Sequence, residues 1–369
     1  MAKFFSRLYG VYVAPAAVFQ SVLIGGGYGT GREVVEYFSS NGAIGGLLGL
    51  GVAALGFFAI LFLCFEIARR SGAYDYRSLL RQFTGRFWIG FEVCFLFLFI
   101  IVLGVLGAAT GDIVKEEFGL SPAMGSVGML AAIIAIAALG RGVVLAILTV
   151  WSLVLCCVFG FYFYEAFSMS GAAIGSALAQ GGVGSRWAIS GLEYVFYNAA
   201  VAPIIIYAAR NIETMKEALI AALAAALMAV IPAALFHLSF LADLPRFGGA
   251  SVPVYDVIRA TGKHWLLVVY LVALVGTFVE TGLGFVQGVI ERIDGWLADK
   301  GKPPAKKWQH ALIAAGAISV SAALSMFGII NLIATGYRFI AWGLFFSFIR
   351  PLLTIGAYRI WIRRDLSRF

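Results

Sequence analysis

Residues 21–38, SVLIGGGYGTGREVVEYF, interrupt an apolar run with a cluster of glycines and then continue with charged, amphipathic sequence. Glycine costs about 1 kcal/mol per residue relative to alanine inside a helix, so the cluster predicts a break in a membrane-spanning helix. Thr30 and Glu33 follow at the T-x-x-E spacing of a capping box, in which the threonine caps the amide of the glutamate. We therefore expect the helix to begin again just after the glycines.

The composition of the chain is that of a membrane protein. Hydrophobic residues make up 62% of the 369 positions and charged residues only 12%, whereas about a quarter of the residues in a soluble domain are charged. The apolar segments are long and lack the alternation of a lipid-facing barrel, which predicts an all-α polytopic membrane protein. The four cysteines lie in these segments without metal-ligand spacing, which predicts buried packing.

Length and hydrophobicity predict ten spans, because about 20 apolar residues cross a bilayer. Lys3 and Arg7 before the first apolar run also fit a signal peptide, but Pro15 and Gln20 interrupt that run, so we interpret it as the first half of span 1. The expected spans lie near residues 8–38, 43–68, 88–114, 123–140, 142–166, 187–209, 214–240, 264–292, 309–327 and 330–361.

The distribution of lysine and arginine supports this count. Nineteen of the 27 fall in the loops of one predicted side and five in the loops of the other. Cytoplasmic loops carry the excess of basic residues, so both termini are expected in the cytoplasm, which requires an even number of spans. The net charge of +8 thus reflects orientation in the membrane and not nucleic-acid binding. The expected location is the cytoplasmic (inner) membrane of a prokaryote, with residues 1–369 as a single multi-pass domain.

Five spans fall in each half of the chain, residues 1–170 and 186–362, so the second half must enter the membrane from the opposite side. This is the signature of an inverted repeat. The first span of each half is irregular, since YNAAVAP at residues 197–203 corresponds to the glycine cluster, and Pro203 suits the first turn of a restarted helix. Paired interruptions predict a binding site, because freed backbone groups can hold a carboxylate or a cation. Tight helix crossing at the glycines is the alternative.

This pattern resembles the LeuT fold of the amino acid–polyamine–organocation superfamily, which has ten transmembrane helices in a 5+5 inverted repeat with helices 1 and 6 broken at mid-membrane. More narrowly, GGGYGTGREVVEYF is similar to the glycine-rich helix 1 of the YkvI-like membrane proteins, and YVFYNAAVAP is similar to their helix 6. The resemblance covers essentially the whole chain in topology, and the substrates of that family are largely unassigned.

The resemblance implies a central substrate site between helices 1, 3, 6 and 8. On this chain it corresponds to Gly25, Gly26, Gly27, Tyr28, Gly29, Thr30, Gly104, Gly107, Ala108, Tyr194, Tyr197, Asn198 and Ala199. Sodium-coupled members use carbonyls of helix 1 beside hydroxyls of helix 8. Here these are the carbonyls of Val22 and Gly25 and the side chains of Thr277, Glu280 and Thr281, so a sodium ion is the one cofactor that the resemblance suggests.

Glu280 also stands out without the resemblance. It lies within the apolar run LVALVGTFVETGLGFV, where a charged group is costly and is a functional candidate by default. Ion or proton coupling and a structural role opposite an arginine are both open. Proton-coupled relatives often carry a lysine on helix 5, and residues 142–166 contain none, so sodium is favoured and a proton on Glu280 is the alternative.

An arginine on the outer half of helix 1 often forms part of the extracellular gate in this fold, and Arg32 lies there. The usual acidic partner on helix 10 is missing, and Arg338 lies in that region. Arg32 is therefore expected to pair with Glu36, with Asp112 or with a carboxylate of the substrate.

The sequence contains no catalytic triad, metal-binding motif or phosphate loop, so the chain is not expected to be an enzyme. We expect a cation-coupled symporter that moves a small amino-acid-like or zwitterionic solute by alternating access. The alternative is a membrane-embedded sensor or accessory subunit that binds the solute without transporting it. The expected partners are the small-molecule solute and the lipid bilayer, without nucleic acid. A monomer suffices for this function, and the oligomeric state is open.

Overall fold

The computed structural model describes residues 7–138, 141–303 and 307–362, and within them the chain is all-helical. Lys3, Lys306 and the basic residues from Arg363 onward, which contribute to the predicted charge asymmetry, lie outside the described residues. In chain order the helices are α1 (Tyr9–Leu23), α2 (Gly26–Gly29), α3 (Arg32–Tyr37), α4 (Ala43–Ser71), α5 (Tyr76–Thr84), α6 (Trp88–Phe118), α7 (Pro122–Ala138), α8 (Arg141–Gln180), α9 (Trp187–Asn198), α10 (Val201–Ile204), α11 (Met215–Phe240), α12 (Leu244–Gly249), α13 (Pro253–Ala260), α14 (His264–Asp299), α15 (Lys307–Ser325) and α16 (Ile329–Trp361).

Six stretches of the described chain are helical, long and apolar enough to cross a membrane. They are Ala43–Ser71, Tyr76–Phe118, Val154–Gln180, Met215–Gly249, His264–Val286 and Ile329–Trp361. Tyr9–Leu23 and Pro122–Ala135 are shorter apolar helices. The protein is therefore a multi-pass helical membrane protein, and the full count of ten spans stays a prediction.

The helix α8 is longer than the span predicted at residues 142–166. It continues to Gln180 and stops where Gly181 and Gly182 adopt φ values of 75° and 116°. Its extension consists mostly of alanine, serine and other small residues without a helix-breaking proline, so the hydrophobic pattern ends before the helix does. Span boundaries read from hydropathy thus differ from helix boundaries here.

Small residues allow α4 and α11 to pack closely. The packed face of α11 carries fully buried alanines, including Ala218, Ala222 and Ala225, and small residues let helices in a membrane approach each other. His237 near the end of α11 contacts Ala43 O through Nε2 at 3.0 Å and Ser39 Oγ through Nδ1 at 2.9 Å. This buried histidine therefore has both ring nitrogens hydrogen-bonded.

Charged side chains at the helix ends form two separate groups. We name the first group the basic face; it consists of Arg7, Arg69, Arg70, Arg77 and Arg359 with the residues they contact. Arg7 pairs with Glu213 at 2.9 Å, for example, and Arg77 donates to the carbonyl of Arg292 at 3.4 Å.

The second group lies at the other ends of the helices, and we name it the opposite face. Here Lys263 pairs with Glu165 at 2.5 Å, and Tyr255 of α13 donates to Glu117 of α6 at 2.5 Å. The short helix α13 belongs to this face through Tyr255, and α12 directly precedes it in the chain. Val254 N of α13 also donates to Thr30 O at 3.1 Å, which brings the residue before α3 to the same face.

Candidate functional site

We name residues 9–37, which contain α1, α2 and α3, the first segment, and its helix is interrupted on both sides of α2. α1 ends at Leu23, and Ile24 adopts φ −73° and ψ 67°, the geometry of an inverse γ-turn. The turn is closed by a 2.7 Å hydrogen bond from Gly25 N to Leu23 O. After α2, Gly31 adopts φ +81°, a left-handed conformation that glycine reaches without steric cost. The glycine cluster therefore redirects the backbone at both ends of a single helical turn.

The capping box predicted for Thr30 and Glu33 is wrong. Thr30 Oγ1 donates to Gly27 O at 2.7 Å and accepts from Arg32 N at 3.2 Å. The N-cap of α3 is Gly31, and no side chain caps the helix. The left-handed glycine turns the chain between the threonine and the glutamate, so their backbone and side chains do not meet as the motif requires. The carboxylate of Glu33 points back at Gly27, where a Cβ atom would overlap it.

Glu33 and Tyr197 join the first segment to residues 187–211, which we name the sixth segment after the span predicted there. Tyr197 Oη donates to Glu33 Oε2 at 2.5 Å, and both side chains are buried. None of the positively charged side chains that the structure describes forms an ion pair with Glu33. The sequence pattern predicts Glu33 only as part of a helix cap. The signal that could have found it was a carboxylate within a membrane span.

The sixth segment is irregular in a different way. Ala199 and Ala200, between α9 and α10, keep right-handed helical dihedrals, but the amide of Ala200 reaches only Tyr197 O, at 3.4 Å. Pro203 lies in α10 and supplies no amide donor, and Ile206–Asn211 continues as a 3₁₀-helix. This stretch is a tightened helix with weak hydrogen bonds, not an open turn.

A cavity of about 450 Å³ lies between these two segments, α6 and α14. Its lining consists of Ser21, Val22, Leu23, Gly25, Gly27, Glu33, Phe95, Leu98, Val102, Tyr197, Asn198, Ala200, Val201, Ile204, Glu280, Thr281, Gly284, Phe285, Arg292 and Tyr337. Arg292 belongs to the basic face and Val22 is 45% exposed, so the cavity extends from Glu33 towards the basic face. Its volume is within the range of small-molecule sites.

The predicted substrate residues of helices 1 and 6 divide into two sets. Gly25, Gly27, Tyr197 and Asn198 line the cavity, whereas Tyr28, Gly29, Thr30, Tyr194 and Ala199 lie beside it, and only the backbone of Gly26 is described. Tyr28 Oη donates away from the cavity to Ala229 O at 3.3 Å. Tyr194 packs against Phe38, and its hydroxyl has no hydrogen-bond partner in the described part of the chain.

The helix α6 presents to the cavity a face other than the predicted one. The predicted glycines pack against α15: a Cβ on Gly104 would lie 3.2 Å from Leu324 Cβ, and one on Gly107 would lie 3.3 Å from Ser325 Cβ. Ala108 is buried and is not part of the lining. The residues of α6 that line the cavity are Phe95, Leu98 and Val102, at the spacing of one helix face.

Four of the five residues predicted for ion coupling line the cavity: Val22, Gly25, Glu280 and Thr281. The fifth, Thr277, is buried and donates to Ala273 O at 2.9 Å. Gly25 and Thr281 lie in contact across the cavity, since a Cβ on the glycine would be 3.5 Å from Thr281 Oγ1. The carbonyl of Gly25 accepts from Gly29 N at 2.8 Å.

The predicted gate residue Arg32 is buried at the opposite face. Its Nη1 donates to the carbonyls of Gly248 (2.8 Å) and Ala250 (3.1 Å), and its Nη2 donates to Glu36 Oε2 at 3.1 Å. Of the two side chains that the sequence left open as partners, Glu36 is the one in contact. Arg32 thus attaches α3 to the C-terminal end of α12.

Asp112 and Arg338 complete the description of this region. Asp112 faces Ser251 and forms no ion pair within the described residues. Arg338 of α16 pairs with Glu193 at 3.1 Å and with Glu36 at 3.6 Å. Arg338 of α16 therefore contributes a cation that joins the carboxylates of α3 and α9.

No protein-family model and no curated protein matches the chain. Several solved structures match in fold. The Eremococcus coleocola manganese transporter, in complex with an aromatic bis-isothiourea substituted compound, aligns with a TM-score of 0.63 at 13% identity, over 99% of this chain and 83% of that one. Inward-facing Mhp1 aligns with a TM-score of 0.52 at 14% identity, over 89% of this chain and 72% of that one.

A Na⁺-coupled sialic acid symporter in its substrate-bound outward-open state also aligns, with a TM-score of 0.52 at 14% identity, over 95% of this chain and 86% of that one. These three proteins are transporters of the LeuT fold and none is an enzyme. Membership of the YkvI-like family stays a prediction. These alignments show that the chain has the LeuT fold.

Proposed function

We propose that this protein is a secondary transporter that moves a small amino-acid-like or zwitterionic solute by alternating access, coupled to a cation. The observation that carries the proposal is the cavity between the interrupted first segment, the sixth segment and α14. Irregular backbone at membrane depth persists only where it is buried in protein or lines a cavity, and in transporters such interruptions hold the substrate and ions.

The proposed topology has ten spans in two inverted halves, with helices 1 and 6 interrupted and both termini in the cytoplasm. The contacts at the basic face and at the opposite face support this topology, because residues expected on the same side of the membrane contact each other. Arg7 contacts Glu213 on one side, and Lys263 contacts Glu165 on the other. The excess of basic residues assigns the basic face to the cytoplasm. The opposite face is then extracellular.

The proposed cycle follows from where the cavity is closed. At the opposite face Arg32 binds Gly248, Ala250 and Glu36, and Arg338 adds a second ion pair to Glu36. Rocking of α1–α4 and α9–α11 against α6, α7, α14 and α15 would separate Arg32 from the two carbonyls and Arg338 from Glu36, and would close the cavity towards the basic face. The pair of Arg32 with Glu36 lies within α3 and would move with it. The cavity would then be accessible from one side at a time.

The proposed cation site consists of the backbone of Val22 and Gly25 with the side chains of Thr277, Glu280 and Thr281. The contact between Gly25 and Thr281 supports it, because it brings the interruption of helix 1 against α14. Sodium is favoured because carboxylate, hydroxyl and carbonyl oxygens are ligands of hard cations. A proton carried by Glu280 is the alternative.

Transport into proteoliposomes tests the proposal. Uptake of radiolabelled small amino acids is measured with inward gradients of sodium or protons, and we expect accumulation of at least one solute only when a cation gradient is present. Glu280→Ala is expected to abolish accumulation while solute binding, followed by thermal shift, is retained. Glu213→Ala is the control, because this carboxylate is 70% exposed at the basic face.

Binding without flux under any gradient would overturn the transporter proposal and favour the membrane-embedded sensor. Equal loss of flux in Glu213→Ala and Glu280→Ala would overturn the assignment of Glu280 to the coupling site.

A further inference from the structure

Glu33 is the buried cavity residue to which neither the proposed cation site nor the gate gives a role. Its side chain is 5% exposed and lines the cavity at the end nearest the opposite face. Oε2 accepts a hydrogen bond from Tyr197 Oη at 2.5 Å, while Oε1 receives none from the residues that the structure describes. One half of the carboxylate is therefore left for a ligand.

The arginines near Glu33 are engaged elsewhere. Arg32, its neighbour in the chain, binds the carbonyls of Gly248 and Ala250 as well as Glu36, and Arg338 binds Glu36 and Glu193. A buried charge is costly unless it is paired. A carboxylate that lines a cavity and lacks a cationic partner in the described chain is suited to pair with a cation that enters the cavity.

We propose that Glu33 binds the ammonium group of the solute, beside the rings of Tyr197 and Tyr337. Both rings line the cavity, with centroids 4.7 Å apart. A carboxylate gives an ammonium group a charge-assisted hydrogen bond, and aromatic faces attract cations. The assignment rests on the proposed transport function and narrows it to solutes that carry an amine.

The absence of a side chain at Gly27 leaves room for the carboxylate of Glu33 at the cavity. Glu33 Oε1 lies so close to Gly27 that a Cβ atom at this position would overlap it. The interruption of the first helix therefore provides the space for the Glu33 side chain to fold back between the first and sixth segments. The glycine cluster and the carboxylate form one site.

The rest of the lining defines the other end of the solute. Phe95, Leu98, Val102 and Phe285 form an apolar wall, and Arg292 lies towards the basic face. Arg32 does not line the cavity. The solute class that fits is a small amine with an apolar body, for which a carboxylate is accepted but not required.

Matched compounds separate the amine from the carboxylate. The purified full chain is tested by thermal shift against alanine, leucine and phenylalanine, against ethylamine, isoamylamine and phenethylamine, and against propionate, 4-methylpentanoate and 3-phenylpropionate. Stabilisation grows with ligand concentration over the dissociation constant. We expect at least one amine and its parent amino acid to stabilise the protein, and the corresponding acid to leave it unchanged.

Glu33→Gln then removes the charge while keeping the shape of the side chain and an acceptor for Tyr197. We expect it to weaken amine binding by roughly tenfold or more, the range for a hydrogen bond to a charged group. Glu213→Gln makes the same chemical change at an exposed position of the basic face and is expected to bind amines like the unmodified protein. Gel filtration and melting without ligand check that each variant is folded.

Stabilisation by the acids in place of the amines, no stabilisation by any amine, or unchanged amine affinity in Glu33→Gln would each overturn the assignment. A shift with sodium alone that disappears in Glu33→Gln, without any amine effect, would also overturn it in favour of an inorganic cation. Failure of the transport proposal is distinguishable: amine binding that requires Glu33 but gives no flux retains this assignment, whereas cation-driven flux of acids alone retains transport and rejects it.

Discussion

The two interruptions that flank the cavity differ in backbone geometry. In the first segment, Ile24 and Gly31 leave the right-handed helical region, with ψ 67° and φ +81°. In the sixth segment, Ala199 and Ala200 keep helical dihedral angles. Hydrogen bonds there join residues three positions apart instead of four, as from Ala202 N to Ala199 O at 3.0 Å. Glycine therefore makes an open turn, whereas alanine and proline make a tightened helix.

This difference assigns separate tasks to the two segments. The first segment supplies a fixed recess, in which the side chain of Glu33 folds back over Gly27. The sixth supplies a helix-like wall that presents Tyr197 and Asn198 to the cavity. The proposed alternating access requires a change of shape around the site, and the tightened segment can adjust its hydrogen bonds without crossing a forbidden region of backbone space. We infer that the first segment fixes the site and the sixth adapts to it.

Gly31→Ala should have the largest effect on the unfolding free energy, because it places a side chain at the left-handed residue of the first interruption. The left-handed conformation costs a residue with a Cβ about 1–2 kcal/mol. The new Cβ would also lie 2.5 Å from Phe240 Cζ and 2.9 Å from Val254 Cγ2, and overpacking adds about 1–3 kcal/mol. We expect a loss of about 2–5 kcal/mol of unfolding free energy, measured by denaturant unfolding in detergent.

Gly119→Ala separates strain from overlap in that experiment. Gly119 has φ +65° at the end of α6, and nothing lies within 4 Å of a Cβ built there. The control should therefore lose only the strain energy of about 1–2 kcal/mol. Equal losses in the two variants would show that the first interruption is no more tightly packed than an ordinary helix end.

Tyr197→Phe should have an intermediate effect, because it removes the hydrogen bond that joins the two interruptions. Hydrogen bonds to charged groups contribute about 1.5–3 kcal/mol, and we expect a loss of that size in unfolding free energy. Tyr194→Phe, one turn earlier in α9, removes a buried hydroxyl without a partner in the described chain. That variant should be as stable as the unmodified protein or more so, and a loss equal to that of Tyr197→Phe would contradict the coupling of the segments through Glu33.

The membrane class and the position of the first interruption could be predicted from sequence, because hydrophobicity and glycine content act locally. The T-x-x-E motif shows what cannot be predicted from neighbouring residues alone. Thr214 and Glu217 have the T-x-x-E spacing and form a complete capping box at the start of α11. Thr30 and Glu33 have the same spacing and do not. The difference lies in Gly31, which turns the chain, and in a tyrosine more than 160 residues away that takes the carboxylate.

Which residues of α6 line the cavity could not be predicted from the local sequence either. Gly104 and Gly107 look suited to a substrate because they leave space, but that space is filled by Leu324 and Ser325 of α15. In a membrane helix, glycine serves close packing of helices as readily as it serves a ligand. Which face of α6 meets α15 depends on the tertiary arrangement, and a single sequence does not encode that choice in any short pattern.

Pro203→Ala should have the smallest effect and is the sharpest test of the adaptable sixth segment. Pro203 is the third residue of α10, in the first turn, where a missing amide donor costs little. The substitution restores an N–H, and we expect the unfolding free energy to change by less than about 1 kcal/mol. Pro232→Ala provides the reference, because Pro232 lies inside the continuous helix α11 and removes an amide from its interior. That variant should gain more stability than Pro203→Ala, since proline in a helix interior costs about 3 kcal/mol. A loss in Pro203→Ala as large as that in Gly31→Ala would mean that the proline ring itself fixes the sixth segment, and the two interruptions would then be rigid for different reasons instead of one being fixed and the other adaptable.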